Sequence, residues 1–366
     1  MAPHASSIVR ALTSWTAGVP LLALVFLALT WGRDLGGVLL VVTLLLLGGA
    51  VVAAVHHAEV IAARVGEPFG SLVLAVAVTV IEVSLIVVLM ISSDSGKPTL
   101  ARDTVFAAIM ITCNGIVGLA ILTATFRGGI ARFNSAGTGA GLASIVALAG
   151  LSLVLPAFTT STPGPTFTTT QLVFAAIASL GLYLLYVFVQ AVRHRDYFLP
   201  PADSATKAGA TGPEHHGNVW ASSVLLVVAL ISVVGLGKVA SPSIENAVVD
   251  AGLPITVVAV AIALIVLLPE SLAAWRAARR GRVQTSFNLA YGSAMASIGL
   301  TIPAVAVASW ILDTQLELGL APVELVLLGI TAIVSVLTVT PGRATLLQGG
   351  VHLAVFAGFM VLAFSP

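Results

Sequence analysis

Charge is what this 366-residue chain lacks most. Asp, Glu, Lys and Arg make up 8% of it and 58% of its residues are hydrophobic, whereas a soluble globular protein carries about 25% charged residues. That scarcity, with a mean hydropathy of +1.09, excludes a soluble catalytic or ligand-binding domain and makes the chain an integral membrane protein. A net charge of +1 excludes the basic footprint that nucleic-acid binding requires. The single cysteine, Cys113, excludes an internal disulfide, and its place in an apolar run makes it a small packing residue. No Cys/His cluster suits a soft metal. No phosphate loop, HExxH or GxSxG pattern is present, so an ATP-driven pump or an intramembrane hydrolase lacks its machinery. The chain is expected to be no enzyme and to need no cofactor.

What is present is apolar sequence in long runs. About 20 apolar residues cross the hydrocarbon core as a helix, and such runs lie at 12–32, 35–55, 70–92, 104–126, 140–159, 171–192, 219–240, 253–275, 286–311, 318–340 and 344–365. The first follows Arg10 as a signal peptide would, but no small-x-small cleavage site precedes Arg33 and Asp34, so it counts as a span. With eleven spans, twelve of the sixteen basic residues fall on the side of the N-terminus, and only Arg33, Lys97, Arg102 and Lys238 on the other. The positive-inside rule then places the N-terminus in the cytoplasm and the C-terminus outside. The basic group Arg276, Arg279, Arg280 and Arg282 sets orientation and meets anionic headgroups.

A polar stretch at 193–218, RHRDYFLPPADSATKAGATGPEHHGN, reads as a cytoplasmic linker, with His215 and His216 solvated in it. The halves on either side resemble each other. DTVFAAIMITCNGIVGLAI from Asp103 lies over QTSFNLAYGSAMASIGLTI from Gln284, with Thr104 over Thr285, Gly118 over Gly299, Leu119 over Leu300, Ile121 over Ile302, and Thr112 over Ser293. The expected architecture is all-α: an N-terminal helix (1–34), a first five-helix repeat (35–192), the linker (193–218) and a second five-helix repeat (219–366). Five is odd, so the repeats are inverted, as in secondary transporters that bind substrate at the midplane between repeats.

Each half carries one glutamate inside its apolar sequence: Glu82 in SLVLAVAVTVIEVSLIVVLMI and Glu270 in LPITVVAVAIALIVLLPESLAAW. A carboxylate near the bilayer centre costs roughly 2.5–3.5 kcal/mol on insertion scales and marks a function. Pro269 removes a backbone donor directly before Glu270, freeing a carbonyl one turn earlier; Thr79 and Ser84 flank Glu82. Thr112, Asn114, Gly115, Gly292, Ser293 and Ser297 offer oxygens or close approach on the neighbouring helices. Oxygen ligands suit hard cations such as Ca²⁺ or Na⁺. Two buried carboxylates, Glu82 and Glu270, can neutralise one divalent ion, and protons compete for the same oxygens. Thr79, Thr112, Asn114 and Ser293 are the expected further cation and proton ligands.

The stretches GEPFGSLVLAVAVTVIEVSLIVVLMIS and LLPESLAAWRAARRGRVQTSFNLAYGSAMASIGLTIPAV resemble the two signature repeats of the ChaA-type bacterial Ca²⁺/H⁺ antiporters of the calcium/cation antiporter superfamily. The resemblance implies an inverted-repeat exchanger core with one extra helix, and the repeat glutamates as ion ligands. Related Ca²⁺/H⁺ exchangers carry Asn three residues before each glutamate, in GNATE and GNAAE; here Thr79 and Leu267 stand there. Leu267 has no side-chain oxygen, which suits a broader monovalent role. At the cytoplasmic end of the second span, His56, His57, Glu59 and Glu67 are read as helix capping and solvation or as an ion-entry or pH-sensing cluster. His352 reads as hydrogen-bonded packing. The expected function is export of Ca²⁺, Na⁺ or K⁺ in exchange for H⁺ across a bacterial inner membrane, with the lipid bilayer and inorganic cations as partners. A cation channel or a non-transporting membrane scaffold are the alternatives.

Overall fold

The computed structural model describes residues 15–33, 35–66, 69–92, 98–201, 218–254 and 256–365. In chain order the helices are α1 Trp15–Thr30, α2 Gly37–Val65, α3 Phe69–Ser92, α4 Leu100–Met110, α5 Val117–Gly128, α6 Ser135–Ala149, α7 Thr169–Phe188, α8 Val219–Asp250, α9 Thr256–Val266, α10 Leu268–Arg279, α11 Val283–Leu312, α12 Pro322–Val339 and α13 Leu346–Phe364. A π turn, Ile111–Ile116, joins α4 to α5. The chain is an all-α membrane protein, and helices fall on every interval predicted from hydropathy. Among the described residues, eight helices are long and apolar enough to cross a membrane, or nine if α9 and α10 form one bent span; α1 and Val73–Val88 are shorter apolar helices.

Local chemistry sets several ends. Thr168 and Gln171 form a reciprocal capping box at the start of α7, and the Asn218 side chain accepts from the N–H groups of Trp220 and Ala221 to start α8, in both cases satisfying orphan first-turn donors. Gly66 ends α2 at φ +77°, its N–H bonded to the Ala62 carbonyl, a conformation glycine adopts without steric cost. The helices α2 and α8 run to Val65 and Asp250, about ten residues past the apolar intervals 35–55 and 219–240. Hydropathy locates only the oil-facing part of a helix that projects beyond it.

Compactness divides the chain into two units, one of Met1–Lys97 with Thr211–Val258 and the other of Pro98–Ala210 with Ala259–Pro366. Each draws on both halves of the sequence. In the first unit, α8 packs along α2, with α1 and α3 against the pair.

In the second unit the element α4–π–α5 is central: 83% of its apolar window is buried, against 22% for Thr169–Arg193. α13 packs along α5, and α7 along α11. The aligned glycines lie at these two contacts. A Cβ on Gly118 would stand 3.0 Å from His352 Cβ and 3.1 Å from the Gly349 carbonyl, and one on Gly299 would collide with Tyr183. A two-residue ladder, β1 Ala131–Arg132 with β2 Arg343–Ala344, runs antiparallel. Arg102 is held near the start of α4. Its Nε donates to Asp103 Oδ1 at 2.7 Å, its Nη1 donates to the Gly319 carbonyl at 2.9 Å, and Glu324 Oε2 lies 3.8 Å from Nε. Thr99 Oγ1 donates to the other oxygen of Asp103 at 3.1 Å.

Candidate functional site

Glu270 owes its place to a helix break. Pro269 has no N–H to give the Ile265 carbonyl, and α9 and α10 diverge by 54° at this point. Leu267, between them, is 1% exposed. Its N–H still bonds to the Ala263 carbonyl at 2.9 Å, and its carbonyl accepts from both Ser271 N (2.9 Å) and Ser271 Oγ (2.6 Å). Glu270 therefore stands in the first turn of α10, half-buried, where the positive end of the helix dipole favours negative charge. Within the second unit α10 packs against α5, the π turn and α11.

Glu82 is placed differently. It lies in the unbroken helix α3, 2% exposed, with Thr79 one turn before it at 7%; Ser84 is half-buried. One turn past Glu82, Leu85 meets α8 at Gly237, where a Cβ would stand 2.5 Å from the leucine side chain. The two glutamates lie in different compact units. One is at a helix start beside a break and the other is in mid-helix.

The neighbouring oxygens divide by what they already do. Thr112 is fully buried in the π turn and donates to the Ala108 carbonyl at 2.7 Å, leaving its oxygen lone pairs facing away from the donated proton. Ser293 is half-buried in α11. Asn114 is fully buried, and its amide is engaged inside the unit: Nδ2 donates to Thr331 Oγ1 at 2.9 Å and Oδ1 lies 3.1 Å from His352 Nδ1. Thr331, Ser335 and Thr338 line one face of α12 at i, i+4 and i+7 and are all buried. That spacing is visible in the sequence, but its partners on α13 and the π turn are not.

The histidine cluster also resolves into parts. Pro20 cannot donate to the Thr16 carbonyl within α1, and His57 Nε2 lies 3.0 Å from that oxygen. A carbonyl only accepts, so Nε2–H donates in either protonation state, and the bond that docks α1 does not switch with pH. His56 packs between the His57 ring (5.5 Å) and the Trp15 ring (6.4 Å), and Glu59 is half-buried one turn on. Glu67, His215 and His216 lie outside the described residues. Among the described residues no three of His, Cys, Asp and Glu gather as a metal site.

Comparison with known proteins places this arrangement. The profile of the sodium/calcium exchanger protein family matches residues 35–192 and 221–365. The chain is 46% identical over 355 residues to y4hA of Sinorhizobium fredii, covering 96% of each chain. It is 32% identical over 314 residues to the sodium-potassium/proton antiporter ChaA of Escherichia coli, covering 85% of this chain and 84% of that one. Its fold is similar to that of native YfkE, with a TM-score of 0.71, 16% identity, and coverage of 96% of this chain and 98% of that one. The two-part family match and the ChaA likeness together establish that the chain belongs to the sodium/calcium exchanger protein family, among its ChaA-type calcium/cation antiporters.

Proposed function

We propose that the chain is a secondary antiporter that exports Ca²⁺, Na⁺ or K⁺ in exchange for protons by alternating access, with Glu82 and Glu270 as shared cation and proton ligands. The break at Leu267–Pro269 carries this reading, because it sets a carboxylate on the first turn of a new helix inside apolar sequence. Such breaks are tolerated at membrane depth where they line a cavity or hold an ion. Thr79, Thr112 and Ser293 supply neutral oxygens. The names of relatives, a sodium-potassium/proton antiporter among them, support proton coupling.

Two inverted five-helix repeats, 35–192 and 219–366, follow the N-terminal segment 1–34 and are joined by the linker 193–218. The exchange of partners supports this: the third helix of each half packs by its aligned glycine on the last helix of the other half. Eleven spans with a cytoplasmic N-terminus complete the arrangement in a bacterial inner membrane. In energised inverted vesicles, adding Na⁺, K⁺ or Ca²⁺ is expected to release stored protons, read as a rise in internal pH. Cation flux with no matching proton movement would point to a channel and sink the antiport reading. Protease added to the same vesicles should cleave within 193–218, and full protection there would reverse the orientation.

Ion preference turns on Leu267. It is the residue preceding α10, three before Glu270, and offers no side-chain oxygen. Ca²⁺ takes six to eight oxygen ligands, so its absence handicaps Ca²⁺ more than a monovalent ion. Leu267→Asn is expected to lower the half-saturating Ca²⁺ concentration about fivefold, the worth of one added polar contact, with Na⁺ little changed. An unchanged Ca²⁺-to-Na⁺ ratio would show that position 267 does not set preference.

A further inference from the structure

Behind the π turn the second unit holds buried polar groups that the exchange reading leaves unused. His352 of α13 is fully buried. Its Nδ1 lies 3.1 Å from Asn114 Oδ1 and its Nε2 lies 3.1 Å from Thr338 Oγ1. The amide orientation follows from its other bond, since Thr331 Oγ1 gives its own proton to Met110 Sδ at 3.4 Å and so accepts from Asn114 Nδ2. Oδ1 is then an acceptor, so the imidazole carries its proton on Nδ1, and the neutral ring accepts from the Thr338 hydroxyl at Nε2. Polar groups at such depth are costly and imply a use.

The aligned contact, α11 against α7, packs without the Asn–His pair. Met295 lies over Asn114 in the aligned sequences and is fully buried. Tyr183 takes the place against Gly299 that His352 takes against Gly118. There α11 runs from Val283 to Leu312 as a continuous α-helix, whereas the aligned element α4–α5 is interrupted by the π turn that carries Asn114. Close packing of these helices therefore does not require the polar pair, and the pair accompanies the π turn. A π turn gives up the regular helical hydrogen-bond register and is found mostly at functional positions. This one packs against α12 and α13 on one hand and against α10, the helix of Glu270, on the other.

We infer that His352 and Asn114 are positioning residues: they hold the π turn in the register that sets it against the Glu270 helix, and so tune the cation affinity of that glutamate. The inference rests on the exchange reading above. Neither residue needs to touch the ion. His352→Asn places an amide N–H where Nδ1–H was and keeps the bond to Asn114. His352→Gln places its amide where Nε2 was, keeping the Thr338 contact and losing Asn114.

The test is vesicle exchange with Na⁺ and with Ca²⁺ as separate probes, together with thermal unfolding of the purified variants. His352→Asn is expected to keep the wild-type half-saturating concentration within about twofold, and His352→Gln to raise it about three- to tenfold, the size of one net hydrogen bond. Maximal rate should stay at the wild-type value in both, and melting temperature at the wild-type value in His352→Asn, with His352→Gln lower only by the one bond it loses. Equal half-saturation in the Asn and Gln variants, whether unchanged or raised in step with lost thermal stability, overturns the positioning role. Glu270→Gln in the same assay separates the two failures. If that variant is dead while the His352 variants match each other, the positioning role alone falls. If it transports as wild type, the glutamate site falls and the positioning role with it.

Discussion

Glu82→Gln and Glu270→Gln are each expected to reduce cation-driven proton movement to the level of empty vesicles while the proteins insert and fold normally. Glutamine keeps the volume and hydrogen-bonding capacity of the side chain but can neither bind a proton nor carry negative charge. Glu82 is 2% exposed in mid-helix, so its neutral replacement relieves a desolvation cost, and the variant should melt no lower than wild type. Glu270 stands in a first helical turn, where glutamine forfeits about 0.3–1 kcal/mol of dipole stabilisation and keeps the hydrogen-bonding capacity of the side chain. Loss of exchange at preserved stability is thus the expected signature at both positions. Wild-type exchange in both variants would remove them from the site.

Arg102→Ala is expected to have the largest effect on stability, a cost of about 3–5 kcal/mol, because it strands a buried carboxylate. Asp103 is 3% exposed and 2.7 Å from the guanidinium, and the same arginine donates to the Gly319 carbonyl. The double variant Arg102→Ala/Asp103→Ala should recover much of the loss, since it removes the orphaned charge along with its partner. Thermal unfolding in detergent measures both. A single variant that melts within about 0.5 kcal/mol of wild type would show that the pair is solvated in the membrane-embedded protein.

The apolar helices were legible because the cost of exposing backbone and charge to lipid leaves few other arrangements. The two glutamates were legible for the same reason: each interrupts sequence that otherwise excludes charge. Pro269 announced the bend between α9 and α10 through a missing N–H. Pairings across long separations were not legible. Asn114 reads as a ligand by composition; that its amide meets Thr331 and His352, 217 and 238 residues away in sequence, could not be read there. The π turn has no proline to mark it. The alignment of the halves held more than the identities first counted, since Phe106 also lies over Phe287 and both are buried. Hydropathy also could not show that each compact unit takes helices from both halves, because apolarity says how much a segment buries but not against what.

The interleaving of the second unit has a consequence for biogenesis. Its first segment, from Pro98 to Ala210, is synthesised well before the second, which starts at Ala259. At about 5–20 residues per second, Asn114 waits on the order of 10–40 s for Thr331 and His352, which lie more than 200 residues downstream. During that interval the Asn114 amide stands in the bilayer without the partners it has in the finished fold, an exposed polar group at a cost. The small ladder between Ala131–Arg132 and Arg343–Ala344 closes only once the chain beyond α12 has emerged, just ahead of α13 and its His352. Truncation just before β2 should therefore leave a fully inserted but short-lived protein, detectable by pulse-chase as a species degraded faster than the whole chain.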